Sequence, residues 1–315
     1  MESIIIFLIV IFFFWELLRR NKKSNSSYKY QHSNKPTVSI SKSNLKKRGT
    51  PEEIFLNLVK LARTELDEKN FEKAIYYYDQ AIEIDSSEYD CFNERTYCKL
   101  QIFENRGRAY WNVGRKDKAI KDWENAALLG SNKARNWLSQ IGYYKKEWQE
   151  FENILIKEGI NRLYHFTDRL NLDSIIQYGG IFSWYTCEKK GISIPVPGGN
   201  KLSRYLDIKK DIQDYVRLSF NKKHPMLYVA KNEGRILNPF FLEISPEVIF
   251  LKDTLFCDEN ANAKSAKIGG ELEYFKKINF KIAKSGKWVN EIEKKYVQAE
   301  VMVKSYIPIK FIRNL

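Results

Sequence analysis

The pattern of apolar and polar positions changes character twice along the chain. Residues 4–15 form an unbroken apolar run, and residues 52–141 then show helical periodicity, with small residues spaced as in packed helix pairs. From about residue 160 the apolar stretches become short and are separated by Pro and Gly turns, as in strands. The pattern therefore predicts an apolar N-terminus, an all-α module and an α+β domain.

The apolar N-terminus predicts an uncleaved membrane anchor that spans residues 1–18. Fifteen helical residues reach about 22 Å, short of the roughly 30 Å hydrocarbon core, so the span is marginal. A cleaved signal peptide or a misassigned start are the alternatives, but Glu2 and the bulky aromatics before the charges do not suit a signal peptide. The basic cluster that follows predicts that the rest of the chain lies in the cytoplasm.

Residues 19–50 are predicted to be a disordered basic tether. They contain ten Lys and Arg residues, no acidic residue and many Ser and Asn residues. Such a segment cannot bury enough apolar surface to fold. Its charge would attract anionic lipid.

Two stretches of the helical region resemble each other at an offset of 45 residues. Lys73-Ala74-Ile75 recurs as Lys118-Ala119-Ile120. They resemble tetratricopeptide repeats, whose period is about 34 residues, and the excess of about eleven equals three helical turns. A longer first helix in the second repeat would preserve its face. Residues 51–142 are thus predicted to form a repeat module, either a partner-binding adaptor or a spacer, with a linker helix at 143–160.

The C-terminal region, residues 161–315, is predicted to be an α+β domain. A helix, "LNLDSIIQYG", ends at Gly179-Gly180, a natural C-cap. In the last strand the apolar residues Val297, Ala299, Val301 and Val303 alternate, and the interleaved Gln298 and Glu300 would lie on one face. The predicted strands are "RLYHFT", "YVRLSF", "MLYVAK", "FFLEIS", "VIFL" and "QAEVMVKSYIP".

Charge and cysteine usage narrow the function classes. The net charge is +14, and residues 161–315 hold 26 basic against 17 acidic residues. This balance favours phosphate-bearing partners, nucleic acid or a dinucleotide, although a solvated basic surface explains it equally well. The four cysteines, at 91, 98, 187 and 257, form no CxxC pair and have no His at ligand spacing. They argue against a zinc site and for a reducing compartment.

Four blocks in order resemble the DarT-type DNA ADP-ribosyltransferase toxins. They are "NRLYHFTDRLNLDSIIQYGGIFS", "DYVRLSFNKKHPMLYVA", "FFLEISPEVIF" and "YVQAEVMVKSYIPIKFI". The resemblance implies a split, curved sheet with NAD⁺ in its cleft. It also implies transfer of ADP-ribose, without a metal, to thymine of single-stranded DNA, or guanine in some members. For some members it implies a macrodomain antitoxin as partner.

The resemblance assigns Glu300 as the catalytic carboxylate. Breaking the nicotinamide–ribose bond develops a cation, which a carboxylate stabilises while also serving as a base toward the acceptor. Gln298 would contact the acceptor, as in the Gln-x-Glu signature. His165 and Thr167, with Tyr164 beside them in "YHFT", would bind NAD⁺.

An arginine before the Asp-Tyr-Val strand completes the implied site, and Arg204 is better placed than Arg217. Arg204 is expected to clamp phosphate or acceptor through forked hydrogen bonds. Arg217 stands where the usual family strand has a Pro, which leaves the target base open, and both arginines could instead balance Asp207 and Asp214. The acceptor contacts are predicted to include Arg217, His224, Lys276 and Trp288, in a basic, aromatic groove.

Two other functions remain open from the sequence. The acceptor could be RNA or protein, with the same chemistry. Alternatively, the chain could be a non-catalytic, membrane-tethered scaffold whose repeats recruit an unknown protein and whose C-terminal domain binds nucleotide or nucleic acid. The leading expectation is a membrane-anchored, cytoplasmic mono-ADP-ribosyltransferase that acts as a toxin or in defence against injected DNA.

Overall fold

The computed structural model describes residues 49–84 and 92–315. Its N-terminal part is helical, and its C-terminal part combines strands with shorter helices. Phe55–Leu315 form one compact unit. The N-terminal helices are α1 (Pro51–Asp67), α2 (Phe71–Ile84), α3 (Phe92–Asn112), α4 (Lys116–Leu128), α5 (Asn132–Gln140) and α6 (Trp148–Lys157).

The two similar stretches lie on α2 and α4, each the second helix of a pair. Ala74 and Ala119 occupy equivalent positions and are fully buried. Gly107 on α3 permits a close approach, because a Cβ atom there would lie 2.5 Å from the Trp123 ring. The second pair also begins with the longer helix, since α3 has 21 residues and α1 has 17. The small residues thus pack helix pairs as the repeat pattern predicts.

The C-terminal strands form two antiparallel sheets. The larger sheet has the order β4-β1-β3-β7-β5-β6, and β2 pairs with β8 in the smaller one. This arrangement confirms the predicted α+β class. The strands are β1 (Leu163–Asp168), β2 (Gly180–Phe182), β3 (Tyr215–Ser219), β4 (Pro239–Ile244), β5 (Leu255–Cys257), β6 (Ile268–Gly269), β7 (Glu300–Lys304) and β8 (Tyr306–Pro308).

Short helices surround these sheets. The predicted helix after β1 is present and ends at Gly179, which adopts the left-handed conformation of a C-cap. The helices are α7 (Leu172–Tyr178), α8 (Trp184–Lys190), α9 (Lys201–Lys209), α10 (Pro225–Asn232), α11 (Leu272–Lys276), α12 (Phe280–Ser285) and α13 (Glu291–Tyr296). Three-residue to five-residue 3₁₀ turns cover Arg169–Asn171, Pro246–Phe250 and Ile309–Phe311.

Two predicted strands are wrong. "MLYVAK" lies on α10, where His224 caps the helix and Pro225 occupies its first turn. Pro is favoured at that position because its φ is already helical and its missing N–H needs no partner. "VIFL" falls mostly in the 3₁₀ turn Pro246–Phe250, which also begins with Pro after a capping Ser. In both cases a capping residue followed by Pro precedes the apolar run, and this pair of residues starts a helix or a 3₁₀ turn rather than a strand.

The last predicted strand begins later than its alternation indicates. Helix α13 ends at Tyr296, Val297 and Gln298 form a turn, and β7 begins at Glu300. Val297 in the turn and Ala299 just after it are fully buried, although neither lies on a strand. The alternation before Glu300 therefore reflects burial of a turn and not a pleat.

The helical part packs directly on the sheet domain. Arg135 on α5 makes two hydrogen bonds of 2.9 Å to Glu247, and Tyr143 and Lys310 both bond Glu124. The predicted linker at 143–160 contains α6, whose Trp148 and Phe151 are buried. The two parts thus share a packed junction.

Within residues 49–84 and 92–315, no helix has the length and apolarity needed to cross a bilayer. The predicted anchor at 1–18 and nearly all of the predicted tether at 19–50 lie outside the described residues.

We expect Arg135→Met to lower the free energy of unfolding by about 3 kcal/mol at pH 7, because it leaves Glu247 buried without its cation. Burial raises the pKa of Glu247, and Arg135 opposes this rise. Without Arg135 the folded-state pKa rises further, so the deficit should widen as the pH increases from 4 to 7. Urea denaturation at both pH values measures the effect.

The double variant Arg135→Met with Glu247→Met is the control, since it removes both charges. It should recover most of the lost stability. A single variant as stable as wild type at pH 7 would show that this ion pair does not hold the junction.

Candidate active site

A cavity of about 300 Å³ lies against strands β1, β3 and β7. Helices α7, α8 and α9 and the loop before α9 form its other walls. Three arginines and two carboxylates line it: Arg204, Arg217, Arg235, Asp207 and Glu300. Of the residues selected from the sequence, His165, Thr167, Arg204, Arg217, His224 and Glu300 line this cavity.

Glu300 is the first residue of β7 and is 7% exposed. In the sheet it lies opposite Ser219 on β3 and Cys257 on β5. Its Oε2 atom accepts hydrogen bonds from Arg217 Nη1 at 2.8 Å and from the Ala261 backbone N–H at 3.0 Å. Both contacts use Oε2, and among the described residues none donates to Oε1. The carboxylate is held on one side and open to the cavity on the other.

Arg217 connects Glu300 with a second carboxylate. Its Nη2 atom donates to Asp207 Oδ1 at 2.7 Å, and Trp184 donates to the other Asp207 oxygen at 3.2 Å. Burial raises the pKa of Asp207, and the Arg217 guanidinium opposes that rise. Asp207 is not among the site residues predicted from the sequence. It lies three residues after Arg204 on α9, so the two are neighbours on one face of that helix.

Arg204, the preferred arginine of the sequence reasoning, lies elsewhere in the cavity wall. It donates to Glu188 Oε1 at 2.6 Å, and its guanidinium carbon lies 5.1 Å from the centre of the Trp184 ring. Its side chain is 31% exposed. The structure therefore places Arg217, and not Arg204, in contact with Glu300.

His165 is held by the backbone of the neighbouring strand. Its Nδ1 atom lies 2.9 Å from the carbonyl oxygen of Arg217, which can only accept. Burial lowers the pKa of His165, so its ring is neutral at pH 7. The proton therefore sits on Nδ1, and Nε2 is left as a hydrogen-bond acceptor.

Thr167 is oriented by Asn171, which the sequence reasoning missed. Asn171 Nδ2 donates to the Thr167 hydroxyl oxygen at 2.9 Å, so the hydroxyl hydrogen remains available to a ligand. The same Asn171 side chain bonds both the backbone O and N–H of Val196, at 2.8 and 2.9 Å. Asn171 thus fixes Thr167 and the wall of the cavity together.

His224 is buried and caps α10 through one of its ring nitrogens. Its Nδ1 atom accepts from the Met226 N–H at 3.3 Å, and burial lowers the pKa of the ring. The neutral ring therefore carries its proton on Nε2. This Nε2 is buried, and within the described part of the chain no group makes a well-formed hydrogen bond to it, although the nearby Gln298 backbone raises the pKa of the ring.

Four predicted site residues lie outside the cavity wall. Tyr164 is covered by Lys222, whose Nζ lies 5.2 Å from the ring centre. Gln298 lies in the turn before β7 and donates to the Lys294 carbonyl at 2.8 Å, so it does not share a strand face with Glu300. Lys276 lies 3.7 Å from Glu150 on α6. Trp288 is half-buried after α12.

The predicted basic groove is partly used for folding. Lys284 binds Glu158 at the end of α6, and Phe280 is buried in the sheet domain. These two residues of the segment 276–288 therefore make contacts within the fold. They are not available to bind a nucleic acid.

The cavity combines a fixed carboxylate, acceptor and donor atoms of neutral side chains, and guanidinium groups. Such a set suits a ligand that carries hydroxyl groups and phosphates and that develops positive charge near Glu300. Among residues 49–84 and 92–315, no cluster of three His, Cys, Asp or Glu side chains could hold a metal ion.

Two family models match parts of the chain. Residues 164–315 match the family "ssDNA thymidine ADP-ribosyltransferase, DarT", and residues 57–88 match a tetratricopeptide repeat. A search of curated proteins found no match.

Several solved structures are similar to the chain. Thermosipho africanus DarTG in complex with ADP-ribose has 23% identity and a TM-score of 0.42, and the match covers 48% of this chain and 42% of that one. Thermus sp. 2.9 DarT in complex with ADP-ribosylated ssDNA has 16% identity, a TM-score of 0.42 and coverages of 49% and 79%. Its complex with carba-NAD⁺ has 22% identity, a TM-score of 0.37 and coverages of 49% and 80%.

The match thus spans less than half the length of the T. africanus DarTG chain. Residues 164–315 of this protein are a DarT domain, an ADP-ribosyltransferase domain, and they follow a helical region that contains a tetratricopeptide repeat.

Proposed function

We propose that this protein transfers a single ADP-ribosyl group from NAD⁺ to a base, thymine, of single-stranded DNA. The observation that carries the proposal is Glu300, which lies within the region matched to DarT and faces the cavity with one oxygen fixed and the other open. A carboxylate in that state can hold a ribose hydroxyl and stabilise positive charge at the same time.

The transfer breaks the bond between ribose C1′ and the nicotinamide nitrogen and forms a bond from C1′ to the acceptor base. Nicotinamide leaves with the electron pair of the broken bond, and the acceptor loses a proton. Glu300 would stabilise the cation that develops on the ribose and would take up that proton. Arg217 and Ala261 hold Oε2 in place while Oε1 does this work.

Other cavity residues fit the remaining parts of NAD⁺. His165 Nε2 can accept from a ribose hydroxyl, and the Thr167 hydroxyl can donate to an oxygen of the ligand. Arg204 and Arg235 line the same cavity and carry the charge that a pyrophosphate requires. We assign these residues to the co-substrate and Arg217 to the carboxylate.

The cellular role forms part of the same proposal. The apolar residues 1–18 would anchor the chain at a membrane, with the transferase domain in the cytoplasm, where it would modify foreign or host DNA. The repeats would bind a protein partner, and a macrodomain antitoxin would reverse the modification. The apolar run at residues 4–15 favours the anchor, and the tetratricopeptide match at residues 57–88 favours a protein partner.

We expect Glu300→Gln to lower transfer by about 10³-fold, because the amide cannot stabilise the developing cation or take up the proton. The measurement is intact-mass analysis of single-stranded DNA, RNA and protein acceptors after incubation with the full chain and NAD⁺. A mass gain of one ADP-ribosyl group should occur on DNA only.

Glu291→Gln is the matched control, since Glu291 is an exposed glutamate on α13, and it should retain wild-type transfer. Labelling of RNA or protein instead of DNA would show that the acceptor is RNA or protein and would contradict the DNA proposal. Intact NAD⁺ and unlabelled acceptors with wild type would favour a non-catalytic scaffold.

We expect replacement of Arg217 and replacement of Arg204 to affect different kinetic constants. Arg217→Met should lower kcat by about 10²-fold with little change in KM for NAD⁺, because Arg217 touches the carboxylate that acts in the transition state. Arg204→Met should mainly raise KM for NAD⁺, because Arg204 lines the cavity without touching Glu300. The reverse pattern would return the catalytic role to Arg204.

A further inference from the structure

Lys145 lies in the connection between α5 and α6, outside the region matched to DarT, and its ammonium group is buried. Its Nζ atom donates to three backbone carbonyl oxygens of the sheet domain: Lys252 at 2.9 Å, Thr254 at 2.9 Å and Gly270 at 2.8 Å. Three donors therefore meet three acceptors, which is the full capacity of an ammonium group.

The surroundings of Lys145 keep this group in place. The residue is 8% exposed, and its Nζ lies 5.9 Å and 5.4 Å from the ring centres of Phe151 and Phe256. Burial lowers the pKa of Lys145 to about 8, while Glu271, Asp253 and Glu147 oppose the shift. The group is thus mainly charged at pH 7, in the form that three carbonyl oxygens require.

The three carbonyls belong to the two ends of one segment. Lys252 and Thr254 precede β5, and Gly270 follows β6 directly, so Lys145 binds both ends of residues 254–270. A Cβ atom on Gly270 would lie 3.3 Å from Lys145 Nζ and 3.3 Å from the Thr254 oxygen. The missing side chain at Gly270 therefore leaves the space that the ammonium occupies.

This segment holds the catalytic carboxylate. Cys257 on β5 lies opposite Glu300 in the sheet, and the Ala261 N–H donates to Glu300 Oε2 at 3.0 Å. A second lysine, Lys210 at the end of α9, donates to the carbonyls of Ala261 and Ala263, which lie between β5 and β6. The ends of the segment depend on Lys145, and its middle depends on Lys210.

We propose that Lys145 is a positioning residue for Glu300, supplied to the transferase domain by the helical part of the chain. It acts through the 254–270 segment, which sets the Ala261 N–H against Oε2. Its catalytic meaning rests on the proposed function, whereas its effect on the segment does not. The helical part is then a component of the catalytic unit as well as a docking module.

Other contacts across the junction provide a contrast. Arg135 binds Glu247 and Lys310 binds Glu124, and neither contact touches residues 254–270. Loss of Arg135 should therefore weaken the junction as a whole, whereas loss of Lys145 should loosen the segment that holds Glu300. This difference separates a positioning role from a merely structural one.

The test uses the full chain with Lys145→Met and Gly270→Ala. The first removes the ammonium, and the second keeps it but crowds its position, which leaves a usable variant if the first does not fold. Lys146→Met is the matched control, because Lys146 is the exposed neighbour of Lys145. Hydrogen exchange followed by mass spectrometry reads the backbone amides, and initial rates of ADP-ribosyl transfer give kcat and KM for NAD⁺.

We expect amides of residues 255–263 to exchange at least about tenfold faster in Lys145→Met and in Gly270→Ala, with β1 and β4 unchanged. We also expect kcat to fall about tenfold or more while KM for NAD⁺ stays near its wild-type value. Lys146→Met should change neither quantity, and Arg135→Met should not accelerate exchange selectively in 255–263.

Three outcomes would overturn the inference. Unchanged exchange in residues 255–263 would show that Lys145 does not hold the segment. Faster exchange with an unaltered kcat would show that the segment does not position Glu300. Uniformly faster exchange across the sheet domain would assign Lys145 to the stability of the junction alone. An inactive wild type would instead refute the proposed function, and the exchange data would still decide whether Lys145 holds the segment.

Discussion

The site depends on one guanidinium group between two buried carboxylates. Burial and the nearby Glu300 carboxylate raise the pKa of Asp207, and the Arg217 guanidinium opposes that rise. Arg217 contacts the two carboxylates with two separate nitrogens, a geometry that a lysine does not offer. The carbonyl of the same residue fixes the tautomer of His165. Arg217 on β3 is thus hydrogen-bonded to β1, β7 and helix α9.

Arg217 also ties the sheet to the helices that line the cavity. An uncharged side chain at this position could neither pair with a carboxylate nor bridge to α9. The bridge ends at Asp207, which Trp184 also binds, so α8 and α9 are tied to β3 and, through Arg217, to Glu300 on β7. The cavity wall and the Glu300 carboxylate are therefore held by the same hydrogen bonds.

The helical part and the sheet domain share buried, charged groups at their junction. Buried, charged groups cross it at three places, and each one is paired: Arg135 with Glu247, Lys310 with Glu124, and Lys145 with three carbonyls. Buried pairs of this kind specify one arrangement, because any other would leave a charge without a partner. Lysines of the basic segment, such as Lys284, also take part, which is why they are not all free to follow a nucleic acid.

The sequence alone determined the division into a helical part and an α+β part and the helix pairs with their small residues. Glu300, His165 and Thr167 were selected through the resemblance of ordered motifs, and all three line the cavity. These features depend on local periodicity and on ordered motifs, which are written in consecutive residues. The sequence could not show that "MLYVAK" is helical or that β7 starts at Glu300, because apolar runs are alike in strands, helices and buried turns until packing distinguishes them. Only the tertiary structure decided that Arg217 and not Arg204 meets Glu300, and that Asp207, Ala261 and Lys145 support them. Those contacts join residues between 10 and 125 positions apart, and a distance along the chain carries no information about which side chains meet across a fold.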